Sequence, residues 1–196
     1  MENIIIKFAD TSDLVFVEKV KEAILKASEQ KGTGIAVRSA EYITGKILEG
    51  KAIMAKTRSG TWAGFCYIES WGHNRFVANS GLIVDEKFRG KGLAKAIKTK
   101  AFELSQKLFP GAKLFGITTS LAVMKINSEL GYKPVTISEL TDDEEFWKGC
   151  QTCPYYDILV RTKRSHCLCT AMLLDPAELK TEKKQPDKVK SKSILT

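Results

Sequence analysis

Residues Val84-Asp85-Glu86-Lys87-Phe88-Arg89-Gly90-Lys91-Gly92-Leu93-Ala94 join two runs of different periodicity, and that junction limits the folds open to the chain. Upstream, residues 75–84 are rich in β-formers; downstream, Leu93, Ala94, Ile97, Ala101, Leu104 and Leu108 recur at helical spacing. A strand therefore feeds a helix through a basic turn containing two glycines. The first N–H groups of a helix have no partner inside it and lie at the positive end of its dipole, which suits a diphosphate. Gly90 and Gly92 permit positive φ and let phosphate oxygens approach the main chain, while Arg89 and Lys91 add charge. The spacing is not that of the P-loop, nor of G-x-G-x-x-G, because Lys95 stands where the third glycine would be.

The rest of the chain sets this turn in an alternating order. Ile4, Ile5, Ile6 and Phe8 predict a first strand, and Asp10-Thr11-Ser12 caps a helix through Val15, Val17, Val20, Ile24 and Ala27. Ser39 caps a second helix, closed by Gly50. Residues 52–56 and 62–68 read as a hairpin about Arg58-Ser59-Gly60. The helix after the glycine turn stops at Pro110-Gly111; residues 113–118 then read as a buried strand, 121–130 as a fourth helix, and Gly131-Tyr132 opens another strand. This order implies an α/β protein, a mixed sheet with helices on its faces. The 196 residues, 43% of them hydrophobic, suffice for one main domain with an ample core. No apolar run approaches bilayer length and no signal-peptide pattern opens the chain, so a cytoplasmic location without membrane contact is expected.

Lys87-Phe88-Arg89-Gly90-Lys91-Gly92 resembles the acyl-CoA motif of the GCN5-related N-acetyltransferases (GNAT), Gln/Arg-x-x-Gly-x-Gly/Ala after a strand, with Lys87 at the first position as the departure. The resemblance in element order extends over about residues 3–136. It implies a GNAT fold, with a mostly antiparallel sheet, helices on both faces and a splayed central strand pair. It also implies an N-acyltransferase using acetyl-CoA or another acyl-CoA, whose pyrophosphate would meet Lys87, Arg89, Gly90, Lys91, Gly92, Leu93 and Ala94. Leu82, Ile83 and Val84 would edge the gap taken by the pantetheine arm, with backbone groups near Val84 holding the thioester carbonyl. In the fourth helix, Asn127 occupies the position of the family's proton-donating tyrosine, and Ser120 that of its usual asparagine. Asn127 donates a hydrogen bond but supplies no proton, which leaves water, another acid such as Tyr132, or a weakened activity.

An amine acceptor must lose a proton before it attacks. Glu69 and His73 are candidate bases by chain location, and Asn79 a candidate to position water. The resemblance puts acceptor selection in the first two helices and their connection, with Arg38 and Arg75 placed to receive a carboxylate through bidentate hydrogen bonds.

Cys150, Cys153, Cys167 and Cys169 form C-x-x-C followed, after thirteen residues, by C-x-C. If residues 166–174 form a strand, the second pair shares one face of it, and four thiolates could close a structural Zn²⁺ site; four reduced thiols or a redox pair at Cys150 and Cys153 are the alternatives. Cys66 lies in a hydrophobic strand and reads as core. Residues 137–177 then read as a cysteine-containing C-terminal arm, resembling a GNAT subset linked to arginine synthesis in which the acceptor would be glutamate. Residues 178–196 carry six lysines and three acids, the composition of a disordered basic tail. Without interleaved aromatics, the net charge of +8 reads as solvated lysines plus an anionic cofactor, and no nucleic-acid partner is expected. The oligomeric state is open, a homodimer included. Two functional classes result: an N-acyltransferase for a small primary amine, perhaps an amino acid, and a non-catalytic acyl-CoA-binding module that contacts protein or nucleic acid.

Overall fold

The computed structural model describes residues 3–30 and 32–178. In chain order the elements are β1 (Ile4–Phe8), a 3-10 turn (Thr11–Phe16), α1 (Val17–Ser28), α2 (Ala40–Leu48), β2 (Ala52–Thr57), β3 (Trp62–Trp71), β4 (Phe76–Val84), α3 (Leu93–Leu108), β5 (Lys113–Thr118), α4 (Leu121–Glu129), β6 (Lys133–Val135), α5 (Glu144–Lys148), α6 (Tyr156–Arg161) and β7 (Thr170–Leu174). The strands form one seven-stranded sheet in the order β1-β2-β3-β4-β5-β7-β6. Among the described residues only β4 and β5 pair in parallel; every other neighbouring pair is antiparallel. The α/β class and the mostly antiparallel sheet match the expectation. The tail, from residue 179 on, lies outside the described residues.

Alternation within the apolar strands explains the layers. Ile53 and Ala55 of β2, with Cys66 and Ile68 of β3, pack with Leu93, Ile97, Ala101 and Leu104 of α3. Their neighbours Ala52, Met54, Phe65 and Tyr67 point the other way and pack with Val17, Val20 and Ile24 of α1 and Ile43 and Ile47 of α2. Strands covered on both faces read as continuous apolar runs, as these do. A third cluster, built on Phe115, Phe146, Trp147, Leu159 and Ala171, fastens α5 and α6 to β5 and β7. The strand expected from residue 166 begins only at Thr170, and it enters the sheet between β5 and β6.

Candidate active site

The parallel pair is in register over only three positions, Phe76↔Lys113, Val77↔Leu114 and Ala78↔Phe115. Beyond these the strands part, and a cleft of about 680 Å³ lies along residues 79–83 of β4 and 116–118 of β5. One side of the fork carries a bulge: Phe65 faces Ile83 but Tyr67 faces Ser80, so β4 holds an extra residue there. Gly81 makes this bulge, with φ +62°, and a Cβ on it would stand 2.4 Å from the Tyr67 ring. Leu82 and Ile83 line the cleft, whereas Val84 leads to an adjoining hollow of about 280 Å³ that also takes in Lys87 and Arg89.

The turn has the form its glycines suggest. Gly90 and Gly92 have φ of +75° and +76°, and no atom lies within 4 Å of where either Cβ would stand. Gly92 is the N-cap of α3 and no side chain caps that end, so the first N–H groups of the helix stay open. Lys91 is exposed beside them, Leu93 is buried and Ala94 half-buried, so the last two contribute main-chain atoms. Arg89 turns back, its Nε donating to the Val84 carbonyl at 3.1 Å. The geometry therefore suits an anion bound by backbone amides and lysines.

At the other end of the cleft stands a polar group that the sequence did not connect. Glu69 accepts hydrogen bonds from both Tyr42 Oη and Lys46 Nζ. Arg38 donates from Nε to Tyr67 Oη at 2.9 Å and from Nη1 to the carbonyls of Val37 and Gly149 at 3.0 and 3.2 Å, and its guanidinium lies over the Tyr42 ring. Burial pushes the Tyr42 and Tyr67 hydroxyls up, so both stay protonated donors or acceptors at neutral pH. Trp71 closes this end, with its buried Nε1 unpartnered. Tyr42, Lys46, Tyr67 and Trp71 were missed because their contacts join distant elements; the one local signal is Lys46 a helical turn beyond Tyr42, between Ile43 and Ile47.

Of the sequence candidates, Arg38, Glu69, Asn79, Ser120 and Asn127 line this cleft. His73 and Arg75 do not: both are exposed at the β3–β4 turn, where Arg75 reaches back to the Gly72 carbonyl at 3.0 Å. Asn79 is committed to a buried network, donating to Ser105 Oγ at 2.8 Å and accepting from Tyr132 Oη at 2.9 Å. Both ends of the Asn79 amide are engaged in that network, which also ties up the Tyr132 hydroxyl. Ser120 caps α4 through the Val123 N–H at 3.4 Å. Asn127 is 1% exposed; its Nδ2 rests 3.6 Å from Met172 Sδ, and among the described residues its Oδ1 has no hydrogen-bond partner.

All four cysteines of the C-terminal arm line the cleft as free thiols. The zinc expectation finds no support: among the described residues no group of three or more His, Cys, Asp or Glu side chains is arranged to hold a metal ion. Because β7 begins at Thr170, Cys167 and Cys169 do not share a strand face. Instead Cys167 accepts a hydrogen bond from Cys169, which pulls its thiol down to about 6, and Cys169 Sγ packs against Gly34, 2.9 Å from where a Cβ would be. Burial pushes the Cys150 thiol up to about 11.

An uncapped glycine turn beside a forked parallel pair is the architecture of the GNAT acetyltransferases, and solved structures bear out the fold. No family model matches the sequence, and none of the curated proteins matches it. Rv2747 from Mycobacterium tuberculosis, solved in complex with CoA and NLQ, is similar over 87% of this chain and 98% of its own, at 16% identity and TM-score 0.63. N-acetylglutamate synthase from Neisseria gonorrhoeae, complexed with coenzyme A and N-acetyl-glutamate, is similar over 89% of this chain, at 14% identity and TM-score 0.63. This chain spans only 35% of that one. A GNAT superfamily phosphinothricin acetyltransferase from Sinorhizobium meliloti, in complex with AcCoA, is similar over 88% of both chains, at 14% identity and TM-score 0.57. The chain has the GNAT fold, and among its described residues no helix is long and apolar enough to cross a membrane.

Proposed function

We propose that this chain is an acetyl-CoA-dependent N-acetyltransferase whose acceptor is the primary amine of a small amino acid, glutamate being the first candidate. The observation that carries the reading is the cleft itself, which runs from the bulged edge of β4 to a paired carboxylate and a held arginine. Bound acetyl-CoA would supply the activated acyl group. Open N–H groups at the start of α3, with Lys87 and Lys91 near them, suit its diphosphate. The bulge at Gly81 breaks the β3–β4 register at the fork, and main-chain N–H groups of β4 along the cleft would serve a developing oxyanion.

Glu69 receives the proton from the amine, directly or through one water. Lys46 and Tyr42 fix its two oxygens, so the base is oriented before the acceptor arrives. Arg38 receives the acceptor's carboxylate: its Nε and Nη1 are held by Tyr67, Val37 and Gly149, a placement that loses little further freedom on binding. The N-acetyl-glutamate bound to the Neisseria protein supports this choice of acceptor class only by analogy of fold.

The test is a comparison of amino acids with polyamines as acceptors in wild type and Arg38→Ala. Loss of one charge-assisted contact should raise KM for the amino acid by roughly tenfold or more and leave that for a polyamine unchanged. An equal change for both would remove the carboxylate role. Acetyl-CoA binding without turnover on any acceptor would favour the non-catalytic module, for which Asn127 at the tyrosine position is the supporting observation.

A further inference from the structure

Lys98 of α3 is 2% exposed, and among the described residues no carboxylate pairs with it. Its ammonium donates to the Asn79 carbonyl at 3.3 Å and lies 5.8 Å from the centre of the Tyr132 ring, which leaves donors unused. A buried cation without a counter-charge costs several kcal/mol, on the order given by desolvation alone, so the position calls for an explanation. Its place in the fold supplies one. Lys98 Nζ, Asn127 Nδ2 and the Asn79 carbonyl oxygen stand 3.7, 3.8 and 3.7 Å from the point where a Cβ on Gly116 would be. Gly116 is the first residue of β5 past the last paired position, so the three groups meet at the throat of the fork. All of them line the cleft, and Asn127 Oδ1, buried there, has no partner.

We propose that Lys98 holds and protonates the sulfur that leaves the thioester, the role Asn127 cannot fill. The inference rests on the acyl-CoA reading above. As the amine nitrogen bonds to the acyl carbon, the carbon–sulfur bond breaks and its electron pair goes to sulfur. One Nζ–H proton then passes to sulfur, and Lys98 is left as a neutral amine. Glu69 keeps the proton that the ammonium lost before attack, the second proton leaves the nitrogen for water as the amide forms, and after the products depart water returns a proton to Lys98 and takes the one on Glu69. Desolvation already lowers the hold of Lys98 on its proton, which makes it a better acid than a surface lysine. The other groups around it are the Cys66 thiol on β3, the Tyr132 hydroxyl ahead of β6, and the amides of Asn79 and Asn127; burial pushes the thiol and the hydroxyl up, so neither is an anion at neutral pH.

The experiment is a titration of bound CoA followed by thiolate absorbance, with the desulfo-CoA complex as baseline, in wild type and Lys98→Met. Calorimetry establishes binding first. A cation beside the sulfur should bring the bound thiol down by at least about one pH unit relative to free CoA in wild type, and Lys98→Met should abolish that shift while still binding CoA. The same variant should lower kcat by about a hundredfold with KM for the acceptor unchanged. A wild-type thiol that titrates as free CoA does, or a shift that survives in Lys98→Met, would overturn the inference and leave the acyl-CoA reading intact. The wild-type titration decides the matter even if the variant does not fold. Failure of wild type to bind CoA at all would overturn both.

Discussion

Gly81 joins a backbone requirement to a packing requirement at one position. Its φ of +62° disfavours any side chain, and the ring of Tyr67, 2% exposed, leaves no room for one. Gly81→Ala should therefore destabilise the protein by about 3 kcal/mol, read by urea denaturation, through strain and overpacking together. Asp13 governs a different response. It is fully buried and pairs with Lys7 at 2.9 Å and Lys56 at 2.8 Å. Burial alone would raise its carboxyl, but these lysines and the Asp10 N–H prevail and hold it below the usual carboxylate range. Its stabilising contribution is thus complete above the unfolded value near ~3.9 and is lost as pH falls through the lower folded value. Asp13→Asn should cost about 3 kcal/mol at pH 7, with the difference from wild type shrinking below about pH 4. Equal destabilisation at both pH values would contradict this.

At the scale of elements, the glycine turn and α3 were legible because their signals are local: spacing, caps and glycines. Gly90→Glu tests the turn directly. With no atom within 4 Å of the added Cβ, the fold should tolerate the residue apart from about 1 kcal/mol of backbone strain, while the new carboxylate repels a diphosphate and acetyl-CoA binding is lost. Binding by calorimetry alongside a melting curve separates the two effects. The first helix illustrates what local signals omit. The sequence predicts the cap at Asp10, but Asp13 also accepts a hydrogen bond from the Asp10 N–H at 3.1 Å and is drawn toward Lys7 and Lys56. The first turn is accordingly 3-10, and α1 begins at Val17. His73 and Arg75 were placed near the site by chain distance. The β3–β4 turn, with positive φ at residues 72–74, instead carries them to the surface.

Across the whole molecule, the cleft exists because two helical layers, one of α1 and α2 and the other of α3, clamp a sheet whose one parallel pair cannot stay in register. The glycine turn, Arg38, Glu69 and Asn127 were found from sequence, yet what relates them is tertiary. The Glu69–Lys46–Tyr42 group spans 27 residues between Tyr42 and Glu69, and no pattern of spacing encodes it. Lys98 did leave a mark, a charge on the buried face of α3 between Ala94 and Ala101, but the apolar stripe around it concealed the exception. The four arm cysteines were legible as a cluster, but where β7 starts depends on pairing with β5 and β6, which no local spacing encodes. The most direct measurement is CoA thiol release from acetyl-CoA by the full chain, across amino acids, polyamines and lysine peptides, with Gly90→Glu as control. Release that depends on an amino-acid acceptor and disappears in Gly90→Glu is the expected result. Acetyl-CoA binding with no acceptor-dependent release, or release equal in both proteins, would contradict it.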